Sequence, residues 1–436
     1  MSLSLGIALA VFAVAYLFIV TEWIDRTVTA MLAAAACVLL GLMPYSDALG
    51  TIDLDVVFLL TGMMLVVAIL GDTGLFEWVA IAIAKAARGN GLVIIVALLA
   101  VTGVLSALLD NVTTVVLIAP IAILITQILA LPAAPVLILL ALFSNIGGAA
   151  TLVGDPPNII IGSASGLSFR QFGEHLAPIV GLIMIVVLPF VALRMRRPMH
   201  AEPAMRRRIL QAHPRLAITD PARLKRGLAV FALILVGFLF SHTLNVEPGL
   251  IALSGGLLML VVCKSPVRET LERVEWTTIF FLIGLFMTVG ALEHNGLFDI
   301  LGDGMATLTA GRLFAACMAV LWISAALSAV AGNIPVVIAM IPLVEVLIRS
   351  FTGETALPID YTDPHIAQPL WWSLALGTCL GGNGSMFGAA ANIVVIQIAR
   401  RNGYKLSFFD FLAYGLPITI VSCALASGYV YLRYFG

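Results

Sequence analysis

The sequence predicts an all-α polytopic membrane protein made of two inverted repeats, each with five transmembrane helices, one re-entrant hairpin and one discontinuous helix. Three observations predict it. Hydrophobic residues form 61% of the 436-residue chain and charged residues only 11%, with a mean hydropathy of +1.10, whereas soluble domains carry about 25% charged residues. Apolar runs of about 20 residues, long enough to cross a bilayer at 1.5 Å per residue, recur along its length. The second half of the chain also matches the first at a nearly constant offset, the signature of an internal duplication.

The first repeat covers 1–193. Its opening runs lie at 4–21, 27–43 and 54–71. No basic residue precedes the first run, so it reads as a retained helix rather than a cleaved signal. An amphipathic piece, 74–88, carries Glu77, Lys85 and Arg88 and belongs at the interface. Segment 91–130 is two apolar arms joined by Asp110-Asn111-Val112-Thr113-Thr114, and is read as a hairpin. Segment 135–163 is helical at both ends but contains Gly147, Gly148, Gly154, Asp155, Pro156 and Pro157. Proline removes an N–H donor and clashes with the preceding turn, so a helix breaks there. A helix near 174–193 ends the repeat. The linker 194–226 holds ten of the 23 Lys and Arg residues. The second repeat, 227–436, carries a hairpin at 312–349 and a broken helix at 370–398.

The duplication is collinear. At an offset of 222, Leu105-Ser106-Ala107 matches Leu327-Ser328-Ala329, Asn111 matches Asn333, Pro120 matches Pro342 and Gly74-Leu75-Phe76 matches Gly296-Leu297-Phe298. At an offset of 234, Gly147-Gly148 matches Gly381-Gly382, Gly154 matches Gly388 and Asn158-Ile159 matches Asn392-Ile393. Apolar matches are cheap, but ordered Gly, Asn and Pro matches are not.

Charge placement sets the expected topology. With the basic linker cytoplasmic by the positive-inside rule, Lys85, Arg88, Arg26, Lys264, Arg268, Arg273, Arg400, Arg401 and Lys405 also fall inside. The Asp47–Asp55 loop and the acidic stretch from Gly353 to Gln368 fall outside. Five crossings per half make the repeats antiparallel, with both termini outside and a multi-pass location in the cell inner membrane.

Non-helical backbone at bilayer depth must line a cavity or be buried in protein. Two hairpin tips and two helix breaks related by a pseudo-twofold axis are the architecture of a secondary transporter. Asp110 sits at the first tip, where a charge costs roughly 2.5–3.5 kcal/mol on insertion scales; its mate is Gly332. Asp155 sits in the first break; its mate is Ala389. Both are assigned to proton or ion coupling, and for each the plainer alternative is a helix cap. Ser106, Asn111, Thr113, Thr114, Asn145, Thr151, Asn158, Asn333, Asn383, Ser385 and Asn392 supply neutral oxygens and amides that hold a hard cation or hydrogen-bond a neutral hydroxide. Their alternative is interhelical glue. The five cysteines show no metal-ligand spacing, and Cys379 alone cannot form a three-sulfur arsenic site.

The stretches LSALLDNVTTVVLIAP, SNIGGAATLVGDPPNIIIGSASG and GLFEW resemble the ion transporter superfamily, which contains arsenite efflux permeases of the ArsB type, NhaD sodium/proton antiporters, P-protein-like permeases and divalent anion/sodium symporters. The match is closest to the P-protein-like and ArsB branch. The resemblance implies elevator-type alternating access and, in some branches, a homodimer. The symporters' Ser-Asn-Thr signature is incomplete here: Asn111 and Thr113 lack an adjacent Ser, and Asn333 precedes Ile334-Pro335. The expected function is therefore proton-coupled efflux of arsenite or antimonite, with sodium/proton exchange as alternative. No cofactor or fixed metal is expected, only a proton or Na⁺ as coupling ion. There is no Walker A pattern, which leaves a separate ATPase subunit open as a partner; the bilayer is the other, and nucleic acid is not expected. An intramembrane aspartyl protease using Asp110 and Asp155 needs Gly where Leu152 stands, and a passive channel leaves opposed hairpins unexplained.

Overall fold

The computed structural model describes residues 3–21, 23–196, 199, 214–308, 311–352 and 360–436. Most of the basic linker, and 353–359 of the acidic stretch, lie outside the described residues. The described residues form twenty α-helices and no strand. Ten of the helices are long and apolar enough to cross a membrane; the protein is a multi-pass membrane protein.

The first half runs α1 (Leu3–Thr21), α2 (Arg26–Leu39), α3 (Tyr45–Gly50), α4 (Leu54–Gly71), α5 (Leu75–Ala86), α6 (Gly91–Leu108), α7 (Asn111–Leu129), α8 (Ala133–Gly148), α9 (Pro156–Ser165) and α10 (Phe169–Met195). The second runs α11 (Pro221–Leu244), α12 (Pro248–Val262), α13 (Val267–Leu271), α14 (Trp276–His294), α15 (Leu297–Leu308), α16 (Leu313–Ala331), α17 (Asn333–Thr352), α18 (Ala367–Gly381), α19 (Ala390–Arg401) and α20 (Phe408–Tyr434). The short α3 and α13 were not legible as helices, because each is about one turn in a polar connection. Both arms of each expected hairpin reach span length: 18 and 19 residues in α6 and α7, and 19 and 20 in α16 and α17.

Local chemistry sets the boundaries. Asp25, Asp53 and Asp220 accept backbone N–H groups at the starts of α2, α4 and α11, and the Arg223 and Ala222 amides hold the Asp220 carboxyl below its usual range. Ser168 and Ser407 form capping boxes with Gln171 and Asp410.

Packing separates two groups of helices. In one, α4 lies on α12 and α14 on α2. A Cβ on Gly62 would fall 2.2 Å from the Ala252 carbonyl carbon, and one on Gly284 2.6 Å from that of Ala30, so both contacts bring backbones together. In the other group, α6 packs on α8 and α16 on α18, while α9 crosses to α17 and α19 crosses to α7. That exchange brings the starts of α7, α9, α17 and α19 to one buried centre.

Candidate functional site

The centre is built around Asp155. It stands at the start of α9, yet its side chain makes no capping bond. The cap alternative read from Asp before Pro-Pro is corrected here: Pro156 and Pro157 have no N–H to offer, and the Asn158 N–H bonds the Asp155 backbone carbonyl at 3.0 Å, so the carboxylate turns elsewhere. Its Oδ1 accepts from Asn111 Nδ2 at 3.1 Å and from Asn333 Nδ2 at 3.0 Å. The repeat-related asparagines thus converge on one oxygen. Asn111 Nδ2 also reaches Asn145 Oδ1 at 3.0 Å. Asn145 Nδ2 in turn donates to Asn383 Oδ1 at 2.9 Å and Asn392 Oδ1 at 3.0 Å. Asp155, Asn145, Asn383 and Asn392 are fully buried, and Asn111 and Asn333 nearly so.

Three oxygens here have no hydrogen-bond partner: Asp155 Oδ2, Asn111 Oδ1 and Thr114 Oγ1. A buried polar atom left unsatisfied costs about 1–3 kcal/mol. Asp155 Oδ2 and Asn111 Oδ1 are acceptors, whereas the Thr114 hydroxyl both donates and accepts. A weak donor in the same neighbourhood, the Cys379 thiol, bonds to Asn158 Oδ1 at 3.5 Å.

Asp110 behaves differently. It is the N-cap of α7, accepting from the Thr113 amide at 2.7 Å and from the Thr113 hydroxyl. Its hydrogen bonds are therefore those of a cap, and Thr113 is committed to it. The remaining candidates hydrogen-bond backbone carbonyls in and beside the helix breaks. Ser106 Oγ donates to Ser144 O at 2.7 Å, as Ser328 Oγ does to Thr378 O at 2.7 Å. Thr151 donates to Ala107 O and Ser385 to Ala329 O. Asn158 Nδ2 binds Ala149 O at 3.2 Å and Thr151 O at 2.9 Å; Asn392 Nδ2 binds Gly382 O at 2.8 Å and Ser385 O at 2.9 Å. Asn383 Nδ2 holds Leu142 O at 3.1 Å. These bonds stabilise non-helical backbone in a dry interior.

Of the sequence candidates, Asp155, Asn111, Asn145, Asn333, Asn383 and Asn392 meet in one network, while Ser106, Thr113, Thr151, Asn158 and Ser385 brace its walls. Ser328 was legible as the mate of Ser106 but not as a brace. Among the described residues no group of three or more His, Cys, Asp or Glu side chains is placed to hold a metal ion.

Residues 16–377 match the model of the citrate transporter family, CitMHS. An uncharacterized transporter of Mycobacterium tuberculosis is 40% identical over 98% of both chains. A 46 kDa membrane protein of Mycobacterium leprae is 38% identical, again over 98% of both. The human P protein is 32% identical over 97% of this chain, which spans 59% of the P protein's length. With the family model matching most of its length, the chain belongs to the citrate transporter family within the ion transporter superfamily, and is a membrane transporter.

Proposed function

We propose that this transporter is a proton-coupled secondary system that expels a small neutral hydroxide, arsenite or antimonite, across the cell inner membrane by an elevator movement. The unpartnered acceptors Asp155 Oδ2 and Asn111 Oδ1 carry the reading. A proton, a cation or a solute bearing hydroxyl hydrogens satisfies such oxygens. A citrate anion, the substrate in the family's name, needs donors instead, and no Lys or Arg side chain hydrogen-bonds into the described network.

Asp155 is the first coupling group, taking a proton as the hydroxide leaves, and Asp110, which also fixes the start of α7, is the second. Segments 1–193 and 227–436 act as inverted repeats. The helix group holding the site, α6–α10 with α16–α20, moves against the group built on α4·α12 and α2·α14. Support comes from the matching element lengths and from the mirrored bonds of Ser106 with Ser328 and Asn158 with Asn392. Sodium/proton exchange is the second reading, favoured by one carboxylate among amide oxygens.

Proteoliposomes with an imposed pH gradient, challenged in turn with arsenite, sodium, lithium and citrate, test this. Arsenite is expected to dissipate the gradient. Dissipation by sodium alone selects the second reading, and dissipation by citrate alone rejects both.

A further inference from the structure

Two cavities outside the site share Arg26 and Ile393 in their walls. The wider, of 420 Å³, is lined by Asp25, Arg26, Glu275, Thr277 and Gln397 among others. The narrower, of 40 Å³, passes Phe281 and Phe387 and reaches Asn333. Asn333 is the residue that donates to Asp155 at 3.0 Å. Together they lead from the face carrying Arg273 towards the buried network.

Arg26 and Glu275 line the wider cavity without forming an ion pair; the described salt bridges involve neither. The Arg26 guanidinium lies 5.7 Å from the centroid of the Phe281 ring, at the junction of the two cavities. Glu275 accepts the Thr278 hydroxyl at 3.2 Å and lies within electrostatic reach of both Arg26 and Asp110. A guanidinium only donates and a carboxylate only accepts. A solute that has both hydroxyl hydrogens and free lone pairs bridges the two, whereas an alkali cation is repelled by Arg26. The repeat-related cavity, 210 Å³ and lined by Asp55, Glu247 and His242, has Pro248 where Arg26 stands.

We infer that the paired cavities are the vestibule by which substrate enters from the face bearing Arg273, and that Arg26 and Glu275 are specificity-determining residues that hold a small neutral hydroxide on its way to Asn333. This rests on the hydroxide reading of the site. Selection is one-sided, because the opposite cavity lacks the cation.

The test uses the full chain in oriented proteoliposomes, with arsenite and sodium as probes and flux measured from each face. Arg26→Gln should raise the half-saturating arsenite concentration about tenfold from the vestibule face, the loss of one hydrogen bond to a charged group. The maximal rate and the half-saturation from the opposite face should hold, and Arg26→Lys should recover part of the loss. Should Arg26→Gln fail to fold, Thr277→Cys gives an independent readout: all five native cysteines are buried. An impermeant thiol reagent should modify it from one face only, and arsenite should slow that modification. If the unmodified protein carries arsenite but Arg26→Gln affects both faces equally, or arsenite gives no protection, the vestibule inference falls alone. If the unmodified protein carries sodium and not arsenite, the site reading falls and the inference with it.

Discussion

The two halves fold the same interior backbone and furnish it with different chemistry. Asp155 in the first half stands where the second has Ala389, Asn145 where it has Cys379, and Asp110 where it has Gly332. The correspondence survives even where the atoms differ. Asn145 donates to Asn392 at 3.0 Å, and its mate Cys379 donates to Asn158, the mate of Asn392, at 3.5 Å. At the hairpin start Asp110 caps α7 with its side chain, while Gly332, at φ +93°, turns the chain so that the Asn333 amide bonds to Gly388 O at 3.0 Å. The bonding pattern thus recurs, but at these matched positions carboxylates stand in the first half alone. Under the proposed function, that divergence places coupling in the first half.

Making the first half resemble the second should break coupling first. Asp155→Ala leaves the Asn111 and Asn333 amides without their shared acceptor in a dry interior. Each buried donor left unpaired costs about 1–3 kcal/mol, and the carboxyl that takes the coupling proton is gone, so gradient-driven flux should fall by about two orders of magnitude or more. The reciprocal change, Ala389→Asp, should not restore it, since Asn111 and Asn333 already point to position 155. Flux above a tenth of the original in Asp155→Ala would remove the carboxyl from the mechanism.

Asp110→Asn comes next. Asparagine caps nearly as well as aspartate, so the folded protein should survive and coupled transport should not. Asp110→Gly, which copies Gly332, also loses the side-chain cap, at a cost of roughly a few tenths of a kcal/mol. It should therefore melt earlier in detergent than Asp110→Asn while showing the same transport defect. Equal coupling in Asp110→Asn and the parent would leave the residue with its capping role only.

How far the sequence exposed this is uneven, for physical reasons. The breaks at Gly147–Pro157 and Gly381–Gly388 could be read directly, because clustered Gly and paired Pro disrupt a helix, whereas single prolines such as Pro120 and Pro342 are carried inside α7 and α17. The convergence of Asn111 and Asn333 followed from pairing them across the duplication. The hydrogen-bond direction of each amide could not be read, so the backbone carbonyls that Asn158 and Asn392 hold with Nδ2 were not foreseen. Asp155 and Asp110 looked alike as buried carboxyls; their partners separate them, the side-chain amides of Asn111 and Asn333 for Asp155 and the backbone amide of Thr113 for Asp110. Arg26 was legible only as a charge on the cytoplasmic side, and nothing in the sequence singled out Glu275. Their sharing of a cavity depends on how α2, α14 and α19 meet.

Close helix approach should depend little on which half is altered. A Cβ on Gly147 would fall 2.0 Å from Gly103 O, and one on Gly381 2.4 Å from Ala325 Cα. Gly147→Ala and Gly381→Ala should each destabilise by about 1–3 kcal/mol through overpacking, measured as a lower unfolding midpoint in detergent. The Gly147 change should cost transport more at equal stability, because α8 carries Asn145 and α18 carries only Cys379. Equal transport losses would mean that the network of the first half tolerates displacement, contrary to the division of labour drawn here.

The smallest contrast lies at the starts of α10 and α20, both 27 residues long. Ser168 Oγ accepts the Gln171 amide at 3.3 Å and Ser407 Oγ the Asp410 amide at 3.1 Å, and each partner side chain returns a bond to the serine's own amide. Ser168→Ala and Ser407→Ala should each cost about 1 kcal/mol. The boxes differ only in that Asp410 brings a negative charge to a helix N-terminus, which contributes typically 0.3–1 kcal/mol when exposed and is screened by salt. Asp410→Asn should therefore lose stability at low salt and much less at high salt, while Gln171→Asn should show no such salt dependence. A salt-dependent loss at Gln171 would mean that the starts of α10 and α20 share a charge effect, and that the halves differ electrostatically only at their buried centre.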